Sequence, residues 1–253
     1  MIGSMLETID HGPIRELRLA RPPVNALDPM LVATLREELE RAIAQGCHAI
    51  VLSGTPGRFS GGLDVPALLK LDRVGITTAW TDFFALLRDL AECPIPIAAA
   101  LTGHSPAGGT VLALYADHRV LAEGAYMIGL NEVRVGLQIP EVLLRALAFI
   151  VGERQAARLA TGGLLVGPAE ALRVGLVDET APVAEVVPRA LAWVRDVLAL
   201  PRAAMSGTRA VARRPLGAAF EGFGATQISE IVDQWFAPEA QATLRALAAR
   251  LGK

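Results

Sequence analysis

The stretch GRFSGGLD at residues 57–64 follows a short β-branched run and is the first of three glycine-bearing turns in the chain. The other two are GHSPAGG at residues 103–109 and IGLNE at residues 128–132, and each also follows a strand-like run. Glycine lets a backbone approach a ligand closely, and a turn that opens a helix directs free N–H groups at whatever lies in front of it. Two of these turns together could supply a two-donor site for an oxyanion, whereas one alone is more typical of a plain tight turn.

Around these turns the sequence alternates between strand and helix patterns up to about residue 140. Strand-like runs flank His11-Gly12-Pro13, which predicts a hairpin over residues 6–19. A helix is predicted to begin at Asp28, because this N-cap residue precedes a proline at the first helical position. The repetition of strand, turn and helix predicts an α/β fold.

Beyond about residue 140 helical patterns dominate. Segments 141–151, 153–160, 168–173 and 184–200 are separated by glycine or proline, and three further helical segments follow, with breaks predicted at Pro215 and Pro238. We therefore expect an α/β core over residues 1–200 and a C-terminal helical region over residues 201–253. This region is expected to be a separable unit or an oligomerisation arm.

Composition and charge exclude several classes of protein. The chain has 253 residues, with 24 Lys plus Arg against 26 Asp plus Glu, and its basic residues are dispersed, so no nucleic-acid partner is expected. The two cysteines, Cys47 and Cys93, lie in no metal-ligand spacing, and neither a metal site nor a disulfide framework is predicted. The uncharged run 93–116 is broken by prolines and glycines, so no membrane segment is expected. The sequence also begins without a secretory signal pattern, and a cytoplasmic location is predicted.

The second turn has a rival interpretation as the nucleophile elbow of a hydrolase. GHSPA at residues 103–107 is close to G-x-S-x-G and lies between a strand and a helix pattern, which would make Ser105 the nucleophile. Such an enzyme needs a histidine after the serine, and His118, just beyond the following helix, is the sole histidine later in the chain. With Ala107 in place of the last glycine, Ser105 is better explained as a turn residue. None of the turns matches a nucleotide-binding fingerprint.

Six motifs occur in a fixed order along nearly the whole chain. They are RPPVNALD at 21–28, FSGGLD at 59–64, AGG at 107–109, ATGG at 160–163, AEA at 169–171 and GLVD at 175–178. Together they resemble the enoyl-CoA hydratase/isomerase family, the crotonase superfamily. The resemblance implies a crotonase (ClpP-like) spiral of β-β-α units with C-terminal helices that build a homotrimer or a dimer of trimers. It also implies an acyl-CoA substrate whose thioester carbonyl is held by two backbone N–H groups, here those of Leu63 and Gly108.

Within that family the catalytic carboxylates decide the reaction. The resemblance places Val111 where hydratases typically have one glutamate, and Glu132 where they have the other. A single carboxylate with an apolar residue opposite is similar to the monofunctional 3,2-trans-enoyl-CoA isomerases, or dodecenoyl-CoA isomerases, and so is WFAPEA at 235–240. The resemblance thus implies Glu132, Leu63 and Gly108 as the catalytic set, with CoA present only as part of the substrate and no cofactor or metal. The substrate-contacting residues that it implies are Ala26, Leu27, Gly61, Gly62, Leu63, Asp64, Val65, Gly108, Leu130 and Asn131.

One carboxylate is chemically sufficient for such an isomerisation. Taking a proton from C2, holding the dienolate and returning a proton to C4 on the same face can be done by one group, whereas water addition needs a second group to activate the water. The sequence neighbours of Glu132 are apolar, namely Ile128, Leu130, Val133 and Val135. An apolar setting should raise the pKa of the Glu132 carboxyl and strengthen it as a base.

Two alternatives stay open at this point. One is an enoyl-CoA hydratase in which Glu141 or another group replaces the missing carboxylate, although an acidic residue in a first helical turn also interacts favourably with the helix dipole. The other is a non-catalytic acyl-CoA-binding paralogue.

The remaining polar and aromatic candidates are expected to have mainly structural roles. Asp64 and Asp117 should hold loops, and a lone loop residue such as Arg58 should be solvated rather than bound to a CoA phosphate. Asn131 should either orient Glu132 or cap a turn. The aromatic side chains Trp80, Phe83 and Phe84 should pack in the core or line an acyl pocket.

Overall fold

The computed structural model describes residues 5–251, which form two β-sheets and a set of surrounding helices. The strands are β1 (Leu6–His11), β2 (Ile14–Leu19), β3 (Ala49–Gly54), β4 (Gly57–Arg58), β5 (Ile97–Leu101), β6 (Gly103–Pro106), β7 (His118–Ala122), β8 (Ile128–Gly129) and β9 (Glu179–Ala181). The helices are α1 (Pro29–Ala44), α2 (Val65–Leu68), α3 (Arg73–Glu92), α4 (Gly108–Leu114), α5 (Glu141–Val151), α6 (Glu153–Thr161), α7 (Pro168–Arg173), α8 (Val183–Leu198), α9 (Arg202–Ala218), α10 (Ala225–Trp235) and α11 (Pro238–Leu251). A short 3₁₀ helix spans Glu132–Val135.

The strand order of the larger sheet is β1-β2-β3-β5-β7-β9, and every pair except the β1–β2 hairpin is parallel. The smaller sheet has the order β4-β6-β8 and is parallel throughout. Each glycine-bearing turn therefore contains one short strand of the smaller sheet. A long strand, a short strand and a helical segment repeat along the chain, which confirms the predicted α/β fold of β-β-α units.

The larger sheet is covered on both faces, since every residue of β3 and β5 is buried. Successive side chains of these strands enter two different hydrophobic clusters, as period-2 alternation requires. One cluster joins Val51 and Ala98 to Val186 and Val194 of α8. The other is the main core between the sheet, α1, α3 and α4. Long apolar runs without alternating polarity are typical of strands buried in this way.

Local signals in the sequence produce the elements that they predict. Asp28 caps α1, and its carboxylate accepts a hydrogen bond from the Leu31 N–H at 2.8 Å, with Pro29 at the first helical position. Gly46 follows the end of this helix in a left-handed conformation, φ 78°. The hairpin pairs Leu6 with Leu19 and ends at His11 opposite Ile14. The predicted N-terminal organisation is confirmed.

The short strand β9 lies in the part of the chain where helical patterns dominate. Two local predictions are wrong. Ser105 lies in strand β6 rather than in a turn. The predicted break at Pro215 is absent, because α9 continues through this proline to Ala218. A proline removes the partner of the carbonyl four residues earlier. That carbonyl belongs to Val211, a residue that is 60% exposed and so has access to water.

A cluster of buried charges fixes α9 to the core. The Asp117 carboxylate accepts hydrogen bonds from Arg209 at 2.8 Å and Arg213 at 3.0 Å, and also from the Ile97 N–H of β5. Arg213 in addition donates to the Tyr115 carbonyl at 2.8 Å. The first helix of the C-terminal region is thus bound to the segment that connects α4 with β7.

No helix within residues 5–251 combines the length and the apolar character that crossing a bilayer requires.

Candidate active site

A cavity of about 270 Å³ lies between the glycine-bearing turns, α3 and the C-terminal helices. Its wall is mostly apolar, and among the described residues that line it Glu132 is the one with a carboxylate. The lining residues are Gly61, Leu63, Val65, Trp80, Phe83, Pro106, Ala107, Gly108, Val111, Asn131, Glu132, Val135, Leu137, Gln138, Pro140, Leu143, Leu165, Ile231, Gln234, Trp235, Leu244 and Leu247. An apolar pocket with a few convergent polar groups is typical of a ligand site.

Two unpaired backbone N–H groups meet at this cavity, those of Leu63 and Gly108. Within the described part of the chain, neither N–H donates a hydrogen bond to another residue. The two groups are close together, since a Cβ built at Gly108 would lie 3.4 Å from the Leu63 nitrogen. Buried backbone donors are nearly always paired in folded proteins. Two adjacent free donors at a cavity are the arrangement that binding of an oxyanion requires.

Residues 24–28 and residues 61–64 pair through backbone hydrogen bonds that use the N–H groups on either side of Leu63 and leave the Leu63 N–H free. The Gly61 N–H donates to the Val24 carbonyl at 2.7 Å, and the Asp64 N–H donates to the Leu27 carbonyl at 2.9 Å. In return the Leu27 N–H donates to the Gly62 carbonyl at 2.8 Å. This two-way pairing explains why RPPVNALD and FSGGLD, which are far apart in the chain, occur together.

Both donors follow a residue with positive φ, which turns the next N–H away from its own chain. Gly62 precedes Leu63 with φ 86°, and Ala107 precedes Gly108 with φ 47°. A residue with a Cβ rarely adopts such a conformation, which persists mainly at functional sites. The start of α4 also comes so near the first turn that a Cβ at Gly109 would lie 2.7 Å from the Ser60 carbonyl oxygen. The AGG motif therefore permits the close approach of the two loops.

Glu132 begins the 3₁₀ helix directly after β8. Its Oε2 atom is buried and has no hydrogen-bond partner among the described residues. Burial raises the pKa of the Glu132 carboxyl to about 7, because the charged form loses its hydration and no cation replaces it. The raised pKa predicted from the apolar neighbours is confirmed.

The ATGG motif supports the 3₁₀ helix that carries Glu132. Arg134, two residues further along, donates from Nε to the Gly163 carbonyl at 2.6 Å and from Nη2 to the Gly162 carbonyl at 3.3 Å. The Ala107 N–H donates to the Gly129 carbonyl at 2.9 Å, which joins the second turn to the third. Glu132 and the free N–H groups of Leu63 and Gly108 thus belong to one connected framework.

Of three further residues singled out from the sequence, two line the cavity and one does not. Val111 lines the cavity through α4, as the resemblance implies. Asn131 also lines it and is the N-cap residue of the 3₁₀ helix, where its carbonyl accepts from the Arg134 N–H at 3.0 Å. Its side chain makes neither a capping bond nor a hydrogen bond to Glu132. The Glu141 side chain is 75% exposed, is paired with Arg145 at 2.5 Å and does not line the cavity.

The ten residues implied as substrate contacts fall into two groups. Five of them line the cavity, namely Gly61, Leu63, Val65, Gly108 and Asn131. The other five are not among the lining residues, namely Ala26, Leu27, Gly62, Asp64 and Leu130. Leu27, for example, is 1% exposed and would meet a Cβ at Gly108 at 3.1 Å. Leu27 thus packs against Gly108, one of the two residues with a free N–H group.

Arg21 joins the segments that frame Leu63. Its guanidinium contacts the Asp28 carboxylate at 3.0 Å and the Asp64 carboxylate at 2.8 Å, and it donates to the Ala26 carbonyl at 3.2 Å. Asp64 in turn caps α2 by accepting from the Ala67 N–H at 2.9 Å. The expected loop-holding role of Asp64 is confirmed. Arg21 does not line the cavity, and we expect it to act as a positioning residue for Leu63.

We expect the substitution Arg21→Met to lower kcat by about ten- to a hundredfold, because the Leu63 donor loses its alignment, and to change KM little. The pH profile of kcat should be unchanged, since the surroundings of the Glu132 carboxyl are not altered. Steady-state kinetics at several pH values measures both. The matched control is Arg36→Met, which removes an exposed arginine paired with Asp89 across α1 and α3. Equal effects of the two substitutions would contradict a positioning role.

Sequence reasoning missed part of the cavity wall. Trp80 and Phe83 line it, as one of their two expected roles required, but Phe84 does not. Trp235 of α10 packs edge-on against Trp80 with ring centroids 6.3 Å apart. Leu244 and Leu247 of α11 close the same wall. The amphipathic patterns of these helices indicated a buried face without indicating what that face covers.

The hydrolase interpretation has no geometric support. Ser105 is completely buried, and its hydroxyl donates to the Gly103 carbonyl at 2.9 Å. It is not among the cavity-lining residues. Within residues 5–251 no three His, Cys, Asp or Glu side chains are grouped so that they could hold a metal ion.

The chain is similar in sequence to proteins of one family. A family model described as enoyl-CoA hydratase/isomerase matches residues 10–221. The mitochondrial enoyl-CoA delta isomerase 1 of Homo sapiens is 34% identical over 201 residues, which are 78% of this chain and 67% of that protein. The probable enoyl-CoA hydratase echA17 of Mycobacterium avium is 32% identical over 197 residues, which are 77% of this chain and 76% of that protein.

Solved structures show the same likeness in three dimensions. The crystal structure of human mitochondrial delta3-delta2-enoyl-CoA isomerase has a TM-score of 0.93, covers 98% of both chains and is 29% identical. The enoyl-CoA hydratase EchA3 from Mycobacterium ulcerans has a TM-score of 0.82, covers 92% of this chain and all of that chain, and is 27% identical. The chain thus belongs to the enoyl-CoA hydratase/isomerase family and has the crotonase fold, with two free N–H groups and one buried carboxylate at the same cavity.

Proposed function

We propose that this protein is a 3,2-enoyl-CoA isomerase, which moves the double bond of a 3-enoyl-CoA to the trans-2 position in fatty acid β-oxidation. The observation that carries the proposal is the single carboxylate of the cavity. Glu132 is the one carboxylate among the described lining residues, and Val111 occupies the helix α4 position in the same wall. The human mitochondrial relative, named an enoyl-CoA delta isomerase, supports this choice of reaction.

The reaction uses one proton acceptor and two hydrogen-bond donors. Glu132 removes a proton from C2 of the thioester, and the electron pair delocalises into a dienolate whose oxygen accepts hydrogen bonds from the Leu63 and Gly108 N–H groups. The protonated Glu132 then delivers a proton to C4, and the double bond is left between C2 and C3. General acid–base catalysis contributes about 10²- to 10⁴-fold, and loss of one oxyanion donor in comparable sites costs about 3 kcal/mol.

A hydratase is the second candidate, because one relative is named a probable enoyl-CoA hydratase. Adding water to C3 needs a second group that orients and deprotonates the water, and Val111 can do neither. Glu141 would have to leave its ion pair with Arg145 and turn from solvent toward the cavity. The isomerase accordingly has the stronger support.

An absorbance assay with two substrates tests the proposal. With 3-hexenoyl-CoA we expect the ultraviolet absorbance of the conjugated thioester to rise as the double bond migrates. With trans-2-hexenoyl-CoA we expect little change. A fall with the second substrate at a comparable rate would contradict the isomerase and indicate a hydratase. Binding of acyl-CoA without any absorbance change would indicate a non-catalytic binding protein.

The pH dependence of isomerisation follows from the state of Glu132. Since burial raises the pKa of the Glu132 carboxyl to about 7, the basic form is the minor one in acid. We expect kcat/KM for 3-hexenoyl-CoA to rise about tenfold per pH unit below that value and to level off above it. Glu141→Gln, which removes an exposed carboxylate, is the matched control and should leave the profile unchanged. A flat profile through this range would contradict Glu132 as the base.

Further features of the proposed enzyme stay predictions. They are an acyl-CoA substrate as the source of CoA, no additional cofactor, a homotrimer or dimer of trimers built through residues 201–253, and a cytoplasmic location. The relatives quoted above from human are named mitochondrial, which is a statement about those proteins.

A further inference from the structure

The 3₁₀ helix that carries Glu132 is short and depends on support from other segments. It has four residues, Glu132–Val135, and none of them is fully buried. Helices of this type have poorer hydrogen-bond geometry than α-helices. Asn131, at the N-cap, adds no side-chain capping bond. The position of the Glu132 backbone is therefore set by contacts outside the 3₁₀ helix.

The segment 162–166, which follows α6, runs beside the third glycine turn and provides one such contact. Ile128 and Val166 exchange two backbone hydrogen bonds, at 3.0 and 2.9 Å. Gly129 lies so close to the same segment that a Cβ at this position would overlap the Leu164 carbonyl oxygen. The segment thus fixes the chain on the side that precedes the 3₁₀ helix.

Arg134 makes the contact on the other side of Glu132. Its guanidinium donates to the Gly163 carbonyl at 2.6 Å and to the Gly162 carbonyl at 3.3 Å. Within the described residues, no backbone N–H donates to either carbonyl, and Arg134 has no carboxylate partner. A Cβ built at Gly163 would lie 2.7 Å from Val133 Cγ2, so the two backbones are in close contact here. Arg134 therefore links the 3₁₀ helix to the start of the segment 162–166.

We propose that Arg134 is a positioning residue, which sets the place of the Glu132 carboxyl by fixing the 3₁₀ helix to residues 162–163. The inference rests on the proposed function and adds a residue to the machinery of the same site. Arg134 does not line the cavity, so it acts through the backbone. With one attachment before Glu132 and one after it, the chain between residues 128 and 134 has little freedom. Displacing a reacting group by about 1 Å can cost about a hundredfold in rate.

An action of Arg134 through its charge has the opposite consequence for Glu132. Burial raises the pKa of the Glu132 carboxyl to about 7, and no neighbouring cation lowers it. If Arg134 holds the 3₁₀ helix in place, its loss admits water to the carboxyl and lowers this pKa. If its positive charge stabilised the carboxylate, its loss would raise the pKa instead. The direction of the change thus distinguishes positioning from charge.

Kinetics of Arg134→Met give the first test. We expect kcat for 3-hexenoyl-CoA to fall by at least about tenfold and the Kd of hexanoyl-CoA, measured by calorimetry, to change by less than about threefold. Arg134→Lys keeps one donor for the Gly163 carbonyl, and its kcat should lie between those of the wild type and Arg134→Met. A raised Kd with an unchanged kcat would mean that Arg134 binds the thioester and would overturn the positioning role.

The matched control is Arg88→Met. Arg88 is also exposed and donates to a backbone carbonyl, that of Phe223, at 3.1 Å, but it connects α3 to the loop before α10. Its kcat should stay within about twofold of the wild type. Equal losses in Arg88→Met and Arg134→Met would mean that the effect of Arg134 is one of general stability, and the proposal would fall.

A second variant approaches the same contact from the segment 162–166. Gly163→Ala places a methyl group against Val133, and we expect it to lower kcat and the pKa of Glu132 as Arg134→Met does. Gly12→Ala is the control, because Gly12 has a similar left-handed φ, 69° against 53°, but no atom within 4 Å of a Cβ. Both substitutions strain the backbone, whereas only Gly163→Ala should change kcat. A loss of kcat in both, or in neither, would contradict the proposal.

The pKa of Glu132 can be measured without turnover. Carbon-13 labelling of the glutamate carboxyls allows an NMR titration, in which the Glu132 signal is the one that Glu132→Gln removes. We expect the pKa to fall by about one unit in Arg134→Met and to stay the same in Arg88→Met. An unchanged or raised pKa in Arg134→Met would overturn the proposal.

This titration also separates the proposal from the proposed function. A lowered pKa in Arg134→Met, in a protein that does not isomerise 3-hexenoyl-CoA, would retain the positioning role and reject the isomerase. Isomerase activity that stays within about twofold in Arg134→Met, with an unchanged pKa, would retain the isomerase and reject the positioning role.

Discussion

Replacing Glu132 with glutamine is expected to lower kcat for 3-hexenoyl-CoA isomerisation by on the order of 10⁴-fold, the largest activity effect that we predict. The amide has nearly the shape of the carboxyl group but can neither take the C2 proton nor return one to C4. Substrate binding should change little, because the Leu63 and Gly108 donors remain free and the cavity keeps its volume. Stopped-flow absorbance measures the rate, and calorimetry with hexanoyl-CoA measures the binding.

The same substitution should stabilise the protein in alkaline solution. Because burial raises the pKa of Glu132 to about 7, the folded state binds a proton more tightly than the unfolded state. The contribution of Glu132 to the free energy of unfolding is therefore fully present in acid and is lost as the pH rises through about 7. Near pH 8.5 Glu132→Gln should be more stable than the wild type by about 2–3 kcal/mol, and near pH 4 the difference should vanish. Urea unfolding at the two pH values measures it.

Two results would contradict this account of Glu132. Isomerisation that stays within about tenfold of the wild type would mean that another group moves the proton. A stability gain that is the same at both pH values would mean that the charged form of Glu132 is not destabilised by burial. Glu141→Gln serves as the control for both measurements, since it removes a carboxylate whose side chain is 75% exposed.

Replacing Asp117 with alanine should give the largest loss of stability, about 3–5 kcal/mol. Its carboxylate, which is 12% exposed, is bound to both Arg209 and Arg213. Removal leaves two guanidinium groups, 11% and 8% exposed, without a counter-charge in a region where hydration cannot fully replace it. Burial already lowers the pKa of Arg213, which shows that its charge is held there only with a partner. Urea unfolding followed by circular dichroism gives the difference.

The control for Asp117 is another aspartate that pairs with an arginine, at the surface. Asp233 contacts Arg73 at 2.5 Å, and both side chains are more than half exposed. Exposed pairs contribute about 0–1 kcal/mol, so Asp233→Ala should have a small effect. If Asp117→Ala cost no more than this control, α9 would not depend on the buried charges for its attachment to the core.

Part of the candidate site could be predicted from the sequence. The pairing of one carboxylate with an apolar residue, Glu132 with Val111, followed from the resemblance, and the raised pKa followed from the apolar neighbours. The resemblance also implied the Leu63 N–H as a donor. The reason why this N–H is free did not follow from the sequence, since it depends on how Gly61 and Asp64 use their own N–H groups across two distant segments. The structural role of Arg21 was missed for the same reason, because its partners Asp28 and Asp64 lie in different segments.

The sequence by itself determined the features that depend on neighbouring residues: the hairpin at 6–19, the Asp28 cap, the glycine turns and the alternation of strand and helix. Such features rest on hydrogen bonds and φ preferences within a few positions, which residue types specify directly. Only the tertiary structure decided that the two-residue strands β4 and β8 pair with β6, and that α10 and α11 close the cavity beside α3. Strands so short have no pattern of their own, and an apolar helix face fits many partners. Their positions are therefore fixed by the packing of the whole core.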